Sequence, residues 1–298
     1  MQTLLQPIPH PAATRCGVRL LLWRDDLLNP ALPGNKARKL KYNLLQAKAE
    51  GHTKLLTFGG AYSNHLAAVA TAGRLCNLAT IGLVRGEERL PLNPTLTRCA
   101  ADGMRLHYLD RATYRRRAEP EFLAEMQRQF GPAYLLPEGG TNALALRGVA
   151  ELIGELRQHT DFDAVAVAAG TGGTLAGLTL GLAEAAYPAR AVGIAALKGA
   201  DFLRTEVDAL LAATGCVGGR YELHTGYHFG GYAKLPAELR AFIRQFEVDF
   251  GVLLDPIYTG KLLFSVLDLI EKGHFVPGST VVAVHTGGLQ AWAGFSNG

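Results

Sequence analysis

The chain has 298 residues, and at roughly 100–200 residues per domain this length suits one large domain or two ordinary ones. Hydrophobic residues make up 48% and charged residues 19% of the sequence, which is typical of a globular protein and excludes intrinsic disorder. The 30 Lys and Arg residues against 26 Asp and Glu leave a formal charge of +4. This charge is too small and too dispersed to predict a nucleic-acid-binding protein.

The sequence predicts neither a metal centre nor a secreted or membrane location. The four cysteines lie far apart with no C-x-x-C pair, so no zinc site or disulfide framework is expected. Residues 1–11 lack a basic segment followed by an apolar one, so we expect no secretory signal and a cytoplasmic protein. Residues 164–183 approach the length of a membrane span, but five glycines and three threonines indicate a strand, a turn and a buried helix.

The predicted elements alternate between apolar strands and amphipathic helices, joined by polar or glycine-rich turns. In chain order, strands are predicted at 18–23, 54–58, 79–84, 106–109, 134–136, 164–169 and 280–284. Helices are predicted at 36–49, from about 64, near 95, at 142–158 and from 174. Such alternation predicts an α/β fold in which a parallel sheet carries helices on both faces.

A glycine-rich turn joins the strand at 164–169 to the helix that follows it. The turn consists of Gly170, Thr171, Gly172, Gly173 and Thr174. Small residues at the start of a helix let several backbone N–H groups approach one anion, and the helix dipole adds to the attraction. The turn has the spacing of neither a Walker A loop nor a G-x-G-x-x-G dinucleotide loop. It therefore predicts either a phosphate site or a tight turn with close helix packing.

A lysine opens the helix predicted at 36–49. A cation at this position opposes the helix dipole, which favours the neutral, nucleophilic amine of a Schiff-base lysine at Lys36. Lys39 lies on the same face one turn later. Three lysines in six residues are also typical of a solvated helix face, so the spacing alone leaves the role of this segment open.

Three polar residues follow the strand at 54–58. Ser63, Asn64 and His65 present a hydroxyl, an amide and an imidazole at the start of a predicted helix. Together with free backbone N–H groups they could hold a carboxylate. The alternative is ordinary capping of the helix by Ser63 or Asn64.

Five segments together resemble one known enzyme family. In chain order they are GNKARKL at 34–40, GGAYSNH at 59–65, GTGGT at 170–174, DPIYTGK at 255–261 and HTGG at 285–288. In this order they resemble the pyridoxal-phosphate (PLP) enzymes of the 1-aminocyclopropane-1-carboxylate deaminase and D-cysteine desulfhydrase family. The resemblance covers about residues 25–288.

The resemblance implies a tryptophan-synthase-β-like α/β fold (fold type II) of two three-layer α/β/α domains with parallel-rich sheets. A large PLP-binding domain would comprise 1–49 and 137–298, and a small inserted α/β domain would comprise 50–136. The resemblance further implies a homodimer that acts on a small amino acid. No bound metal is indicated, and the dispersed charge and the composition of residues 164–183 predict neither a nucleic-acid nor a membrane partner.

The resemblance also implies roles for individual residues. Lys36 would bind the cofactor as a Schiff base, and Asn64 would hydrogen-bond the pyridoxal O3′. Ser63, Asn64 and His65 would bind the substrate. The cofactor phosphate would lie against the backbone of Thr171, Gly172, Gly173 and Thr174.

Two tyrosines match those of the family's active site. Tyr258 lies in the DPIYTGK segment, and with Lys36 and Ser63 it would assist proton transfer. Tyr232 matches through the segment GGYAKLP at 230–236, which departs from the family's usual pattern. Tyr227 therefore remains an alternative to Tyr232.

Two positions favour the desulfhydrase within the family. Thr259 stands where the deaminases have a glutamate, which keeps the pyridine nitrogen protonated for opening of the cyclopropane ring. Thr259 and Thr286 instead offer hydroxyls, which can hydrogen-bond a neutral pyridine. This weaker electron withdrawal suffices where a good leaving group departs. His65 also matches the desulfhydrases, because the deaminases have glutamine there.

The sequence therefore predicts PLP-dependent β-elimination of D-cysteine to pyruvate, ammonia and hydrogen sulfide, with Lys36 accepting the Cα proton. The alternative is deamination of 1-aminocyclopropane-1-carboxylate to 2-oxobutyrate and ammonia. A non-catalytic small-molecule-binding protein on this fold would have lost the lysine or the phosphate loop, and a dehydrogenase would need a glycine fingerprint that is missing. The chain is shorter than the family between 84 and 93, which would accommodate a bulkier β-substituent.

Overall fold

The computed structural model describes residues 4–217 and 219–295. Its strands are β1 (Leu5–Pro7), β2 (Arg19–Arg24), β3 (Lys54–Gly60), β4 (Ala79–Arg85), β5 (Met104–Leu109), β6 (Tyr134–Leu136), β7 (Ala164–Ala169), β8 (Arg190–Ala195), β9 (Tyr221–His224) and β10 (Thr280–His285). Its α-helices are α1 (Pro11–Arg15), α2 (Lys36–Ala49), α3 (Asn64–Cys76), α4 (Pro94–Ala101), α5 (Arg111–Arg115), α6 (Pro120–Phe130), α7 (Ala143–Arg157), α8 (Gly173–Glu184), α9 (Phe202–Ala213), α10 (Ala237–Phe250) and α11 (Thr259–Glu271). Short 3₁₀ helices occur at Asp25–Leu27, Glu138–Gly140 and Leu289–Gly294.

The chain divides into two compact units. Unit 1 is formed by Met1–Asn35 with Leu146–Trp292, and unit 2 by Lys36–Ala145 with Ala293–Gly298. Helix α2 therefore belongs to unit 2, whereas the predicted domain boundary after residue 49 includes it in the large domain. The predicted division into 1–49 with 137–298 and 50–136 stays a prediction.

Unit 1 is built around a six-stranded sheet with the strand order β1-β2-β10-β7-β8-β9. All neighbouring strands are parallel except β1, which pairs with β2 in antiparallel register. Parallel strands need crossover connections, and helices supply them here. The predicted parallel sheet is thus confirmed, with one antiparallel edge strand in addition.

Alternate residues of the central strands of unit 1 bury into two different cores. Val165 and Val167 of β7 pack with helices α7, α8 and α9 on one face. Ala164 and Ala166 pack with α1, α10 and α11 on the other face. Because side chains of a strand alternate in direction, a strand covered on both faces reads as an uninterrupted apolar run. This accounts for the continuous apolar strand at 164–169.

Unit 2 has a smaller sheet of four parallel strands in the order β5-β4-β3-β6. Its core includes Leu56, Phe58, Leu83, Phe122 and Met126. Helix α3 is buried along most of its length, from His65 to Gly73. Alanines along that helix permit close packing against the strands that flank it.

The local sequence signals predict several elements with the bounds that the structure has. The helix at 36–49 and the strands at 134–136 and 164–169 are confirmed as predicted. The helix predicted at 142–158 is one residue shorter at each end. Residues 185–279 carry no predicted element, yet the described residues of this range form five: β8, β9, α9, α10 and α11. Among the residues described, no helix combines the length and apolar character needed to cross a membrane.

Candidate functional site

The glycine-rich loop lies in unit 1 between the end of β7 and the start of α8. Helix α8 begins at Gly173, so the N–H groups of its first turn have no partner within the helix. Gly172 has a φ of +74°, and a Cβ atom there would come within 2.7 Å of Cγ2 of Val207. The loop is therefore a backbone cradle that requires glycine at this position and presents N–H groups suited to an anion.

Tyr258 packs against the first glycine of this loop. A Cβ atom on Gly170 would lie 3.1 Å from the phenol oxygen of Tyr258, so the missing side chain makes room for the ring. The ring centroid of Tyr232 lies 6.1 Å from that of Tyr258. Unit 1 thus brings both predicted tyrosines to the vicinity of the glycine-rich loop.

Tyr227, the alternative to Tyr232, has its hydroxyl engaged elsewhere. It donates a hydrogen bond to Oδ2 of Asp268 at 2.5 Å, and the ammonium of Lys272 lies 5.6 Å from its ring centroid. Burial raises the pKa of Tyr227, and the hydrogen bond to Asp268 adds to this effect. By contrast, Tyr232 is 44% exposed.

The hydroxyl of Thr259 closes a buried turn with Asp255. It donates to Oδ2 of Asp255 at 2.7 Å and accepts from the backbone N–H of Asp255 at 2.7 Å. The N–H groups of Ile257, Tyr258 and Thr259 donate to the same carboxylate. This turn fixes the start of α11 and the backbone of Tyr258. The proton of the Thr259 hydroxyl is therefore already used by Asp255.

Thr286 follows β10 and approaches the segment that precedes Lys36. A Cβ atom on Gly34 would lie 2.1 Å from the carbonyl oxygen of Thr286, so only glycine fits there. The N–H of Asn35 donates to the same carbonyl at 3.2 Å, and its side-chain amide donates to the Thr174 hydroxyl at 2.9 Å. Asn35 thus links the HTGG segment to the first turn of α8.

In unit 2, the start of α3 carries the three polar residues predicted from the sequence. Oγ of Ser63 accepts the N–H groups of His65 and Leu66 at 3.2 and 3.3 Å, so Ser63 caps the helix. Oδ1 of Asn64 is buried, and no described residue hydrogen-bonds it. A buried amide oxygen without a partner is costly. It therefore indicates a polar partner from outside the described residues.

The imidazole of His65 is fully buried and held in one tautomer. The hydroxyl of Thr57 donates to the carbonyl of Leu136 at 3.0 Å, so its oxygen accepts from Nε2–H of His65 at 2.8 Å. Burial lowers the pKa of His65 well below its usual value, and the ammonium groups of Lys36 and Lys39 lower it further. His65 is therefore neutral, with a lone pair on Nδ1. A substrate-binding role for its ring stays a prediction.

The two lysines at the start of α2 have different surroundings. The ammonium of Lys39 donates to the carbonyl of Gly139 at 3.2 Å and to Oγ1 of Thr141 at 3.1 Å. Lys39 is 3% exposed, and burial with the nearby charge of Lys36 lowers its pKa well below the usual value. Lys36 is the first residue of the helix and is only partly buried.

A cavity of about 670 Å³ opens at the carboxyl ends of β3, β4 and β5 in unit 2. It begins at Gly60, just before Ser63, and Arg85, Arg89 and Tyr108 contribute to its lining. The hydroxyl of Tyr108 is buried and has no hydrogen-bond partner in the described residues. The cavity includes part of the segment near 86–92, where the chain is shorter than the family.

The donor groups of each unit fit the cofactor that the resemblance implies. Unit 1 offers a backbone cradle at Gly172 that suits a phosphate, and unit 2 offers the buried amide of Asn64 and the amine of Lys36. Sequence reasoning assigned no role to Asn35, Asp255 or Lys261, although all three lie in or beside the five segments. The signal that could have found them is their position next to residues with predicted roles.

Comparisons with known proteins give one family match and several relatives. A family model described as pyridoxal-phosphate dependent enzyme matches residues 2–287. A protein of Pyrococcus horikoshii with the provisional name 1-aminocyclopropane-1-carboxylate deaminase is 32% identical over 295 residues, which cover 97% of this chain and 90% of that protein. An Arabidopsis thaliana protein named bifunctional D-cysteine desulfhydrase/1-aminocyclopropane-1-carboxylate deaminase, mitochondrial, is 30% identical over 92% of this chain and 73% of its own length.

The fold is similar to that of a solved structure. The crystal structure of a homologue of 1-aminocyclopropane-1-carboxylate (ACC) deaminase matches this chain with a TM-score of 0.84 and 31% sequence identity. The match covers 98% of this chain and 90% of that one. The predicted fold class, a type II α/β fold with parallel-rich sheets, is thereby confirmed.

Proposed function

The chain belongs to the family of pyridoxal-phosphate dependent enzymes, and from this premise we propose that it eliminates hydrogen sulfide from D-cysteine. The predicted family, cofactor and enzyme class are confirmed by the family match and the relatives. In the proposed reaction, D-cysteine and water give pyruvate, ammonia and hydrogen sulfide. The homodimer and the cytoplasmic location stay predictions.

We assign the following residues to the cofactor. The backbone of residues 171–174 would hold the phosphate, which the glycine cradle and the N–H groups at the start of α8, which have no partner within the helix, support. The amide of Asn64 would bond O3′, which its buried, unpartnered oxygen supports. When bound, pyridoxal phosphate withdraws electrons from the Cα atom of an amino acid attached to it.

Lys36 is the residue that we assign to covalent attachment and to proton transfer. Its amine would take up the Cα proton, after which the C–S bond breaks and sulfur leaves with the bonding electron pair. The hydroxyl of Tyr258, beside Gly170, would stabilise the departing sulfur, and Ser63 would assist at the substrate. Lys39 is the alternative base. Its bonds to Gly139 and Thr141 favour giving this role to Lys36.

The choice of substrate depends on the side chain at position 259. Because this residue is a threonine, it brings no carboxylic acid to the pyridine nitrogen. Its hydroxyl is fully buried and donates its proton to Asp255. Of the two predicted hydroxyls, that of Thr286 is then the one we assign to this nitrogen. A hydroxyl partner leaves the pyridine unprotonated. Elimination of a good leaving group tolerates this weaker electron withdrawal, whereas ring opening demands more.

Deamination of 1-aminocyclopropane-1-carboxylate is the second candidate. It is favoured by the name of the Pyrococcus horikoshii relative, at 32% identity over nearly the whole chain. The Arabidopsis thaliana relative carries both activities in its name. Opening of the cyclopropane ring would give 2-oxobutyrate and ammonia in place of pyruvate and sulfide.

The test compares three substrates on the cofactor-loaded chain. D-Cysteine, L-cysteine and 1-aminocyclopropane-1-carboxylate are supplied separately, and sulfide, pyruvate and 2-oxobutyrate are measured. Sulfide and pyruvate in equal amounts from D-cysteine alone are the expected result. Formation of 2-oxobutyrate from the cyclopropane acid at a comparable rate would reject the argument from Thr259.

A matched pair of lysine variants tests the attachment site. Lys36→Ala should abolish both turnover and the absorbance band of the covalently bound cofactor. Lys48→Ala, an exposed lysine on the same helix, should retain both. A band that survives in Lys36→Ala and vanishes in Lys39→Ala would transfer the role to Lys39.

A further inference from the structure

Two histidines and a glutamate converge at one edge of the six-stranded sheet. Glu222 and His224 lie on the edge strand β9, and His274 lies just after the end of α11. One potential ligand atom from each residue lies within 4.8 Å of the other two. None of the three belongs to the residues that we assign to the cofactor or the substrate.

Two features of the fold bring these side chains together. Glu222 and His224 are two residues apart on a strand, so their side chains project from the same face of the sheet. Arg190, at the start of the neighbouring strand, donates to the backbone carbonyl of His274 at 3.0 Å and pairs with Oε1 of Glu222 at 2.9 Å. Arg190 therefore holds the segment after α11 beside β9 and leaves the second carboxylate oxygen facing the histidines.

One ring nitrogen in this cluster lacks a hydrogen bond. Nε2 of His224 is buried, and no described residue hydrogen-bonds it. The closest carboxylate oxygen, Oε2 of Glu222, lies 3.6 Å away and is only 2.7 Å from Nε2 of His274. A buried ring nitrogen is costly to leave without a partner. A cation between the three atoms would satisfy the two nitrogens and the oxygen at once.

The distances suit a small divalent metal ion. Zinc binds histidine nitrogen and carboxylate oxygen at about 2.0–2.2 Å. Tetrahedral geometry then separates neighbouring ligand atoms by roughly 3.3 Å. The two separations of 3.6 and 2.7 Å lie on either side of this value. The three ligand atoms lie within 4.8 Å of one another, and an ion between them would replace the hydrogen bond between Nε2 of His274 and Oε2 of Glu222.

We propose that Glu222, His224 and His274 bind one Zn²⁺ ion per chain. Two imidazole nitrogens and one carboxylate oxygen are ligands that zinc prefers, and three protein ligands leave a fourth position for water. The side chains are 31%, 23% and 26% exposed, respectively, so the ion can reach them from solvent. Arg190 acts as the outer partner that orients the carboxylate. The ion would connect the edge strand to the segment after α11.

The test is a zinc titration of the full-length, cofactor-loaded chain after treatment with a chelator. Calorimetry should give one site per chain, and bound zinc should raise the melting temperature, because only the folded chain assembles the three ligands. Co²⁺ serves as a spectroscopic probe of tetrahedral nitrogen and oxygen coordination. His224→Gln and His274→Gln should each weaken binding more than about 100-fold, because loss of an outer partner alone costs 10- to 100-fold.

Two controls make the result specific. His52 pairs with Glu50 at 3.2 Å, and this pair contains only one histidine. The His52→Gln variant should therefore bind zinc as the parent chain does. Glu222→Gln keeps the shape of the side chain but removes its charge. The circular dichroism spectrum of this variant checks that a chain lacking one ligand still folds. The proposal is overturned if no site is found, or if binding survives these ligand variants. Binding that depends instead on the exposed thiol of Cys76 overturns it as well.

Discussion

The ammonium of Lys261 donates a hydrogen bond to the carbonyl oxygen of Gly231 at 2.7 Å, directly before Tyr232. It also donates to the carbonyls of Ala196 and His228 at 3.1 and 2.9 Å. The side chain is fully buried, and burial lowers the pKa of Lys261 to about 8. Because Lys261 belongs to α11, its ammonium ties the segment before Tyr232 to the helix that follows Tyr258.

Replacement of Lys261 by methionine should therefore weaken this part of unit 1. Lys261→Met leaves three carbonyl groups without their donor, and each unsatisfied buried group costs about 1–3 kcal/mol. Since removal of a buried charge offsets part of this loss, we expect the free energy of unfolding to fall by roughly 2–5 kcal/mol. Urea denaturation of the cofactor-loaded chain measures the change.

The matched control for this variant is Lys272→Met in the segment just after the same helix. Lys272 pairs with Asp268 at the surface, and such exposed pairs contribute little. We expect no measurable change in the free energy of unfolding for the control. Equal stability of Lys261→Met and Lys272→Met would contradict a structural role for the buried ammonium.

Tyr258 and Tyr232 should matter for turnover. Tyr258→Phe removes a hydroxyl that lies beside Gly170, and Tyr232→Phe removes the hydroxyl of the ring whose centroid is 6.1 Å from that of Tyr258. Proton transfer by a positioned side chain contributes about 10²- to 10⁴-fold. We therefore expect kcat for D-cysteine to fall by about 10²-fold or more in at least Tyr258→Phe. Steady-state kinetics at fixed cofactor occupancy measure this effect.

Tyr227→Phe is the control for the tyrosine variants. Its hydroxyl donates to Asp268, so the substitution should lower stability without lowering kcat. A fall in kcat for Tyr227→Phe, with Tyr232→Phe unaffected, would show that the alternative match was the right one.

The candidate site could be predicted from the sequence where a local motif at the start of a helix indicates the chemistry. The loop that starts at Gly170 and the capping residue Ser63 lie at helix starts that the pattern itself predicts. The use of the Thr259 proton by Asp255 could not be predicted, because the sequence does not show which acceptor a hydroxyl reaches. The burial of the Lys261 ammonium could not be predicted from the sequence either. Its partners are backbone carbonyls 30 to 65 residues away, and a lysine is almost never fully buried.

A glycine of the loop should be the more sensitive to substitution the less space surrounds it. Gly172→Ala forces a side chain into a left-handed backbone conformation and against Val207. We expect a loss of roughly 1–3 kcal/mol in the free energy of unfolding. Cofactor affinity should fall as well, because the N–H groups of the cradle move. Unfolding curves and a pyridoxal phosphate titration measure the two effects.

Gly154→Ala is the matched control for the loop variant. Gly154 lies within α7, where an added Cβ would meet no atom within 4 Å. Because alanine is the better helix former, this substitution should raise stability by about 0.5–1 kcal/mol. Unchanged cofactor affinity in Gly172→Ala would show that the cradle does not hold the phosphate.

The fold could be predicted from the sequence where the apolar pattern of an element is strong. It could not be predicted where an element is short or lies at the edge of a sheet. The apolar strand at 164–169 is covered on both faces, so its sequence is continuous and its bounds are clear. Strand β9, by contrast, has four residues of which only Leu223 is buried. Its pattern therefore resembles a loop. The proximity of His224 to His274 follows from tertiary packing across 50 residues, which no local signal reports.

Burial of His65 should make the stability of the protein depend on pH on the acidic side. The unfolded chain protonates this imidazole below its usual pKa of 6.5, whereas the folded chain keeps it neutral because burial and two ammonium groups lower its pKa. The unfolded state then binds more protons, so the free energy of unfolding falls as the pH drops below about 6.5. One such group contributes up to about 1.4 kcal/mol per pH unit.

His65→Gln isolates this contribution, because glutamine cannot bind a proton in this pH range and keeps a donor that can reach Thr57. Urea unfolding measured at several pH values between about 5.5 and 7.5, one unit on either side of the usual pKa of 6.5, should give a flatter dependence for the variant. The exposed His159, changed to glutamine, is the control for the loss of a histidine at the surface. An identical slope for His65→Gln and the parent chain would mean that the folded chain protonates His65 as readily as the unfolded chain does, and the neutral state assigned to the buried imidazole would then be wrong.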